Sequence, residues 1–140
     1  MSTFQFTDFD IDLNKNPFND DISIVRDRDA IRQSIMNIVL TVPGEKRFND
    51  DFGVGLRTRL FELYTPLTQK KIERDIVGAI SRLEPRAKVT SVDLQEDSSV
   101  AKQGSAGIPN QWNLIINYTI LVGKRTQLTD TLQVKVQKVR

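Results

Sequence analysis

The chain has 140 residues, 27% of them charged, with a formal net charge of +2 and neither cysteine nor histidine. Its length suits one domain with a sizeable core, and the missing residue types exclude disulfides, cysteine-ligated metals, a thiolate nucleophile and a histidine general base. The longest apolar run is far shorter than the roughly twenty residues that cross a bilayer, so we expect a soluble protein, made inside the cell, with no membrane partner.

Residues 1–21 are predicted to form an extended N-terminal arm. Aromatic and aliphatic side chains are scattered among Asp, Asn and Thr with neither a helical period nor a sustained alternation, and Pro17 excludes a continuous helix. The segment contains five aspartates and one lysine. Disordered tails are poor in aromatic residues, so docking of the arm against another surface is favoured over a disordered terminus.

The rest of the chain, residues 22–140, is predicted to form a single α+β domain. A short strand at about 21–25 precedes Asp27, a candidate N-cap, and the apolar spacing that follows predicts an amphipathic helix over about 27–41. Residues 56–64 have the apolar spacing of a short helix.

A second main amphipathic helix begins with Thr65 as N-cap and Pro66 at its first position, and it ends before the next proline. We expect the helices to pack on one small sheet. A β-favouring stretch at 89–94 predicts one strand, and the alternating runs 112–122 and 128–136 predict a long C-terminal hairpin with one buried face.

The last strand is predicted to be an open sheet edge that offers main-chain groups to another protein. Residues 124–140 contain five bases and one acid, opposite in charge to the arm. Oppositely charged ends fit protein assembly at least as well as a nucleic-acid surface, and a net charge of +2 is small for phosphate binding. We therefore expect protein partners and no nucleic acid.

The carboxylates Glu45, Asp50 and Asp51 lie in one loop and are candidates for the paired catalytic carboxylates of a glycosidase. Such enzymes need two carboxyl groups roughly 5 to 9.5 Å apart with one of them desolvated, and solvated loop acids are the simpler interpretation. The loop lacks the spacing of calcium ligands, and Gly53 and Gly55 are too close together for a phosphate-binding loop. The simpler interpretation is that both glycines adopt positive φ. We expect no catalytic residue, no metal and no cofactor.

Glu84, Pro85 and Arg86 place an acid and a base on either side of a rigid corner at the end of the second main helix. From the residues alone, a helix stop with solvated charges is favoured over an interface.

The segment 43–56 reads PGEKRFNDDFGVGL and is followed by Leu-Phe-Glu at 60–62 and by Glu-Pro-Arg at 84–86. This order resembles the baseplate wedge and sheath-initiator family of contractile-tailed phages and type VI secretion systems. The resemblance extends over about residues 25–138. It implies an α+β fold and a structural protein, not an enzyme, located in the virion tail baseplate after assembly in the host cytoplasm.

The resemblance also implies partners. It implies six copies per baseplate, anchored to other wedge proteins through Glu84, Pro85 and Arg86, with the tail tube or hub as a further candidate partner. Under that interpretation we expect Arg86→Ala to leave the melting temperature of the isolated domain nearly unchanged.

The resemblance further implies that the hairpin binds the tail sheath protein by strand addition and initiates the sheath. The interacting positions are Gln133 and Lys135, where an outward N–H would pair with the added strand, and the basic residues Lys138 and Arg140, which together with Lys135 favour an acidic partner. Two alternatives stay open: a type VI secretion homologue and, in a different class, a small carboxylate-based cell-wall hydrolase.

Overall fold

A computed structural model describes residues 6–63, 65–96, 111–122 and 126–137. Its elements in chain order are β1 (Thr7–Phe9), β2 (Ile24–Arg26), α1 (Arg28–Leu40), α2 (Leu56–Arg59), α3 (Pro66–Leu83), β3 (Ala87–Glu96), β4 (Gln111–Val122) and β5 (Thr126–Gln137). The predicted fold class is confirmed: the chain is α+β, with two main helices, one short helix and a long C-terminal hairpin. No helix in these ranges is long and apolar enough to cross a membrane.

The second main helix, α3, begins as its sequence predicts. Thr65 is the N-cap, and its hydroxyl accepts a hydrogen bond from the Thr68 N–H at 3.1 Å. Pro66 takes the first helical position, where an N–H would have no helical partner. These two residues fix the start of α3, and with it the position of the corner at its other end.

The start of α1 differs from the prediction. Asp27 is at the N-cap position, but its carboxylate makes no capping hydrogen bond. It instead accepts a hydrogen bond from the Phe6 N–H at 3.2 Å, and the Asp27 N–H donates to the Phe6 carbonyl at 2.8 Å. Asp27 therefore holds the N-terminal arm against the helix instead of capping it.

The short helix α2 covers less of the chain than predicted. It ends at Arg59, one turn after its start at Leu56, and the chain continues as a turn. Tyr64, at the end of the predicted helix, lies outside the described residues.

Three antiparallel strands form the main sheet in the order β3-β4-β5. Leu114 at its centre lies opposite Leu94 on β3 and Val134 on β5. The alternation predicted for the hairpin is confirmed along β4, where Trp112 and every second residue up to Ile120 are buried. Leu128 departs from the predicted alternation on β5, because it is 45% exposed although Ile120 opposite it is buried.

The hydrophobic core lies between this sheet and the helices. Its largest fully buried side chains come from all three helices, from the turn after α2, and from β3 and β4: Trp112, Tyr118, Ile31, Ile35, Ile38, Leu56, Leu60, Ile72, Ile76, Ile80, Leu94 and Leu114. Helix α3 covers β3, whereas α1 and α2 reach β5. The two edges of the sheet consequently have different surroundings.

Part of the predicted arm forms a two-stranded antiparallel ribbon, in which Asp8 of β1 lies opposite Val25 of β2. The ribbon contacts α1 through Gln33, whose amide donates to the Phe9 carbonyl at 2.7 Å and accepts from the Ile11 N–H at 3.0 Å. The sequence indicated an arm that docks; it did not indicate that the arm pairs with the strand preceding α1.

Candidate functional site

The corner at the end of α3 is built around a buried carboxylate. The N–H of Glu84 donates to the Ile80 carbonyl at 2.8 Å and ends the helix, and the Glu84 side chain is only 2% exposed. The guanidinium of Arg86 donates to both carboxylate oxygens, from Nε at 2.5 Å and from Nη2 at 2.6 Å. The interpretation of these residues as solvated charges is therefore wrong, because they form an intramolecular ion pair around Pro85.

Arg86 connects this pair to two other parts of the fold. Its guanidinium lies 5.0 Å from the centre of the Phe6 ring, within the range of a cation–π contact with the arm. Its carbonyl accepts a hydrogen bond from the Leu121 N–H on β4 at 2.9 Å. The Arg86 side chain is still 36% exposed, and Pro85 is exposed, so the corner presents a fixed surface to solvent.

Electrostatics keep the pair ionised. Burial opposes the charge on Glu84, but hydrogen bonds from Arg86 and Ser34 outweigh it, so the pKa of Glu84 lies below its ordinary value. The hydrogen bond to Glu84 raises the pKa of Arg86. At neutral pH the pair of Glu84 and Arg86 is consequently charged and joined by two hydrogen bonds, and the backbone of the corner fixes the orientation of both side chains.

The second candidate site is the outer edge of β5. The hydrogen bond from Leu121 N–H to the Arg86 carbonyl shows that odd-numbered residues of β4 direct their main-chain groups towards β3. Even-numbered residues of β4 therefore face β5 and pair with its even-numbered residues, for example Leu114 with Val134. By the same alternation, the N–H and C=O groups of Gln133 and Lys135 point away from β4.

Those outward groups are open in the part of the chain that the structure describes. No hydrogen bond there joins the main chain of Gln133 or Lys135 to a segment beyond β5, and both side chains are exposed. The structure thus places both predicted positions on an unpaired edge. Lys138 and Arg140, predicted at the same site, lie outside the described residues.

A groove of about 540 Å³ runs beside this edge. Its walls come from the end of α1, from the turn that contains Leu60 and Phe61, and from the last part of β5, including Val134 and Val136. Phe61 is 66% exposed at its rim. The sequence pattern does not indicate this groove, because Phe61 has the spacing of a core residue in a helix that in fact ends at Arg59.

The loop with the candidate carboxylates is shaped by two glycines. Gly53 and Gly55 have φ values of +102° and +67°, as the sequence predicts, and the Gly55 N–H donates to the Thr41 carbonyl at 2.8 Å. A side chain on Gly53 would collide with the same carbonyl. The glycines thus allow the loop to lie directly against the end of α1.

Glu45, Asp50 and Asp51 are all exposed on this loop. The Glu45 carboxylate accepts a hydrogen bond from the Val42 N–H at 3.1 Å, and the Asp51 carbonyl accepts one from Arg82 at 2.6 Å. Among the described residues, no group of three or more acidic side chains is arranged to hold a metal ion. These contacts hold the loop together and attach it to α3 through Arg82.

Comparison with known proteins identifies the family. The family described as baseplate wedge protein gp25 matches residues 25–124. The chain is also 34% identical over 89 residues to the baseplate wedge protein gp25 of Enterobacteria phage T4, an alignment that covers 64% of this chain and 67% of that protein. The family match includes α1, α2 and α3 and extends through β4.

Two solved structures share the fold. A crystal structure of a candidate tail lysozyme from Geobacter sulfurreducens aligns with a TM-score of 0.62 and 23% identity, over 80% of this chain and 91% of that one. A chain of the cryo-EM structure of the anti-feeding prophage baseplate, 6-fold symmetrised, aligns with a TM-score of 0.61 and 20% identity, over 96% of this chain and 87% of that one. At these identities the likeness concerns the fold alone, whereas the family match and the T4 relative together show that the chain belongs to the baseplate wedge protein gp25 family.

Proposed function

We propose that the chain is a structural, non-enzymatic component of a contractile phage tail baseplate that links wedge proteins to the sheath and initiates the sheath by strand addition. The observation that carries the second part is the β5 edge, where Gln133 and Lys135 offer outward main-chain groups. An extended partner strand could bond to each of them in turn, as in other cases of β-augmentation. Family membership supports the baseplate location.

The groove beside β5 suits a partner strand with large apolar side chains. A strand added to this edge would direct alternate side chains towards the helices, next to the inward-facing Val134 and Val136. Those side chains would enter the groove and cover Phe61. Arg57 on the groove wall and Lys135 on the strand favour an acidic neighbour in the partner, and Lys138 and Arg140 are proposed to extend this preference.

The link to other wedge proteins is proposed to form at the corner of Glu84, Pro85 and Arg86. The buried carboxylate holds Arg86 in one direction, and the exposed part of its guanidinium can still reach a partner carboxylate or carbonyl. Pre-organisation of this kind lowers the entropy lost on binding. We further propose six copies per baseplate, contacts with the tail tube or hub, and assembly in the host cytoplasm; the 6-fold baseplate that contains a chain of similar fold supports the copy number.

Proline substitution on β5 tests strand addition. Gln133→Pro and Lys135→Pro each remove one outward N–H, and an outward position on an edge strand is one that tolerates proline. We expect both variants to seed sheath polymerisation on purified baseplates much less well than Gln133→Ala and Lys135→Ala. The alanine variants are the matched controls, because they remove the side chain and keep the N–H.

Circular dichroism establishes that each proline variant keeps its hairpin before seeding is compared. Hydrogen exchange supplies a second measurement: the amides of Gln133 and Lys135 should exchange more slowly in sheath-bound baseplates than in the free protein. Equal seeding by proline and alanine variants, or equal exchange in the two states, would show that β5 does not accept a sheath strand.

The two alternatives receive less support. The T4 relative and the anti-feeding prophage baseplate are of phage and prophage origin, which favours a phage tail over a type VI secretion system. The likeness to the candidate tail lysozyme is a likeness of fold at 23% identity, and Glu45, Asp50 and Asp51 stand on an exposed loop. A desolvated acid in a cleft, which glycoside hydrolysis requires, is not formed by these three residues.

A further inference from the structure

The other edge of the sheet, on β3, is occupied by side chains near the C-terminal end of that strand. Leu94 lies opposite Leu114, whose main-chain groups face β5, so the N–H and C=O of Leu94 point away from the sheet. The Leu94 carbonyl accepts a hydrogen bond from the Gln69 amide at 2.9 Å, and the Leu94 N–H donates to the Glu73 carboxylate at 3.3 Å. Two side chains one helical turn apart thus bond to the groups that a neighbouring strand would use.

The two side chains form a rigid unit. The Gln69 amide also donates to Glu73 Oε1 at 3.0 Å, and Lys70 Nζ lies 2.8 Å from Oε2 of the same carboxylate. Glu73 is buried, with 7% of its surface exposed. Burial opposes its charge, but the hydrogen bonds from Lys70, Gln69 and Leu94 outweigh it and hold the pKa of Glu73 below its ordinary value. The acceptor facing Leu94 is therefore ionised at neutral pH.

An incoming strand would have to break these bonds before it could pair with β3. Hydrogen bonds to an ionised group are roughly twice as strong as neutral ones, and a strand amide would offer only a neutral replacement. The displaced Glu73 carboxylate would also lose the Leu94 N–H as a donor while it remained largely buried, which is unfavourable. At the β5 edge, no hydrogen bond among the described residues has to be displaced at Gln133 and Lys135.

We propose that Gln69 and Glu73 close the β3 edge to strand addition, so that the sheet accepts a partner strand on β5 alone and two copies of this chain do not pair β3 to β5. The second half of this statement rests on the proposed function of β5. If both edges were open, copies could join head to tail, because each added copy would again present one open edge; such contacts give rings or open-ended assemblies.

The test compares variants of the full chain by sedimentation velocity over a range of concentrations. Gln69→Leu/Glu73→Leu removes both side-chain bonds to Leu94, and Glu73→Gln is the matched control because its amide oxygen can still accept from the Leu94 N–H. We expect the double variant to form dimers and longer oligomers at concentrations where the unchanged protein and Glu73→Gln do not. A folded double variant that associates no more than the unchanged protein overturns the proposal.

Hydrogen exchange on the unchanged protein provides a test that needs no folded variant. The Leu94 amide should exchange at least about tenfold more slowly than the amides of Gln133 and Lys135, because within the described ranges it alone of the three is hydrogen bonded to a group outside the sheet. Exchange of Leu94 as fast as that of Gln133 would overturn the proposal.

Adding Lys135→Pro to the double variant separates this proposal from the function proposed for β5. Association that disappears identifies β5 as the strand that pairs with the opened β3, and supports both proposals. Association that persists still supports closure of β3 by Gln69 and Glu73, while it counts against β5 as the pairing edge.

Discussion

Arg86 donates hydrogen bonds to both carboxylate oxygens of Glu84, although a single proline separates the two residues along the chain. Because this pair is complete within one molecule, the corner has its shape before any partner binds. The same geometry gives Arg86 a role in stability that its position in the sequence did not indicate. A partner that contacts this corner would therefore meet a guanidinium already held in place.

Arg86→Ala is expected to destabilise the isolated domain by about 1 to 3 kcal/mol, because it leaves a buried carboxylate without its main partner. This revises the expectation of a nearly unchanged melting temperature. Arg86→Lys should recover part of the loss, since an ammonium group cannot bind both oxygens in the same way. Urea denaturation measures the change, with Lys88→Ala as a control at an exposed cation two residues away. Equal stability of Arg86→Ala and the unchanged domain would contradict the structural role.

Stability is expected to fall in acid through Glu73 and Glu84. Both have a native pKa below the ordinary glutamate value of 4.5, so the unfolded chain takes up protons first as the pH falls. The free energy that they contribute is fully present above that value and is lost as the pH falls through their lower native pKa. Denaturation between about pH 7 and pH 3 should show a shallower acid dependence in Glu73→Gln/Glu84→Gln. An unchanged slope in the double variant would mean that neither carboxylate is linked to folding.

Tyr118→Phe is expected to cost about 1 kcal/mol of unfolding free energy. The buried Tyr118 hydroxyl donates to the Asp130 carboxylate at 2.9 Å, and Arg28 Nε lies 3.7 Å from the same oxygen. Because Asp130 keeps Arg28 when the hydroxyl is removed, the cost should remain modest. A double-mutant cycle with Asp130→Ala, which removes the acceptor, measures the coupling, and additive effects of the two substitutions would show that the hydrogen bond does not contribute.

Gly53→Ala is expected to destabilise the domain more than Gly44→Ala. Both glycines have positive φ, +102° and +86°, which L residues disfavour. A Cβ on Gly53 would additionally overlap the Thr41 carbonyl, whereas nothing lies within 4 Å of a Cβ on Gly44. The difference between the two melting temperatures isolates the effect of the close approach. Similar values for both variants would show that the loop can move away from α1 at little cost.

Removal of the three loop carboxylates is expected to leave any cell-wall activity of the preparation unchanged. Glu45→Gln, Asp50→Asn and Asp51→Asn can be combined, because all three side chains are exposed. A turbidity assay on peptidoglycan measures the activity, and thermal denaturation confirms folding. Loss of turnover in a folded triple variant would establish a catalytic role and contradict the proposed structural function.

Local sequence signals were enough to predict most of the elements. Thr65 and Pro66 fix the start of α3 through a capping bond and a restricted φ, which depend on neighbouring residues alone. The alternation around Trp112 and Leu114 predicts the hairpin because one face of a half-buried sheet must be apolar. These patterns need no knowledge of distant contacts, which is why the structure confirms them.

Contacts between distant residues were not predictable in the same way. Asp27 has the sequence signature of an N-cap, yet its carboxylate bonds to Phe6, 21 residues earlier. Glu73 looks like a solvated helix residue until the fold brings Leu94 to it. The open edge at Gln133 was predicted in outline, but the direction of its N–H follows from strand register, which periodicity does not give.

A sheet with one closed and one open edge corresponds to the initiating unit of a polymer. In polymer terms, a unit with two reactive ends extends a chain, whereas a unit with one reactive end can begin it and cannot be incorporated further along. If β5 accepts a strand and the bonds of Gln69 and Glu73 to Leu94 close β3, as proposed above, this domain has a single reactive end. The number of growing chains would then equal the number of copies in the baseplate, and growth would proceed in one direction from each.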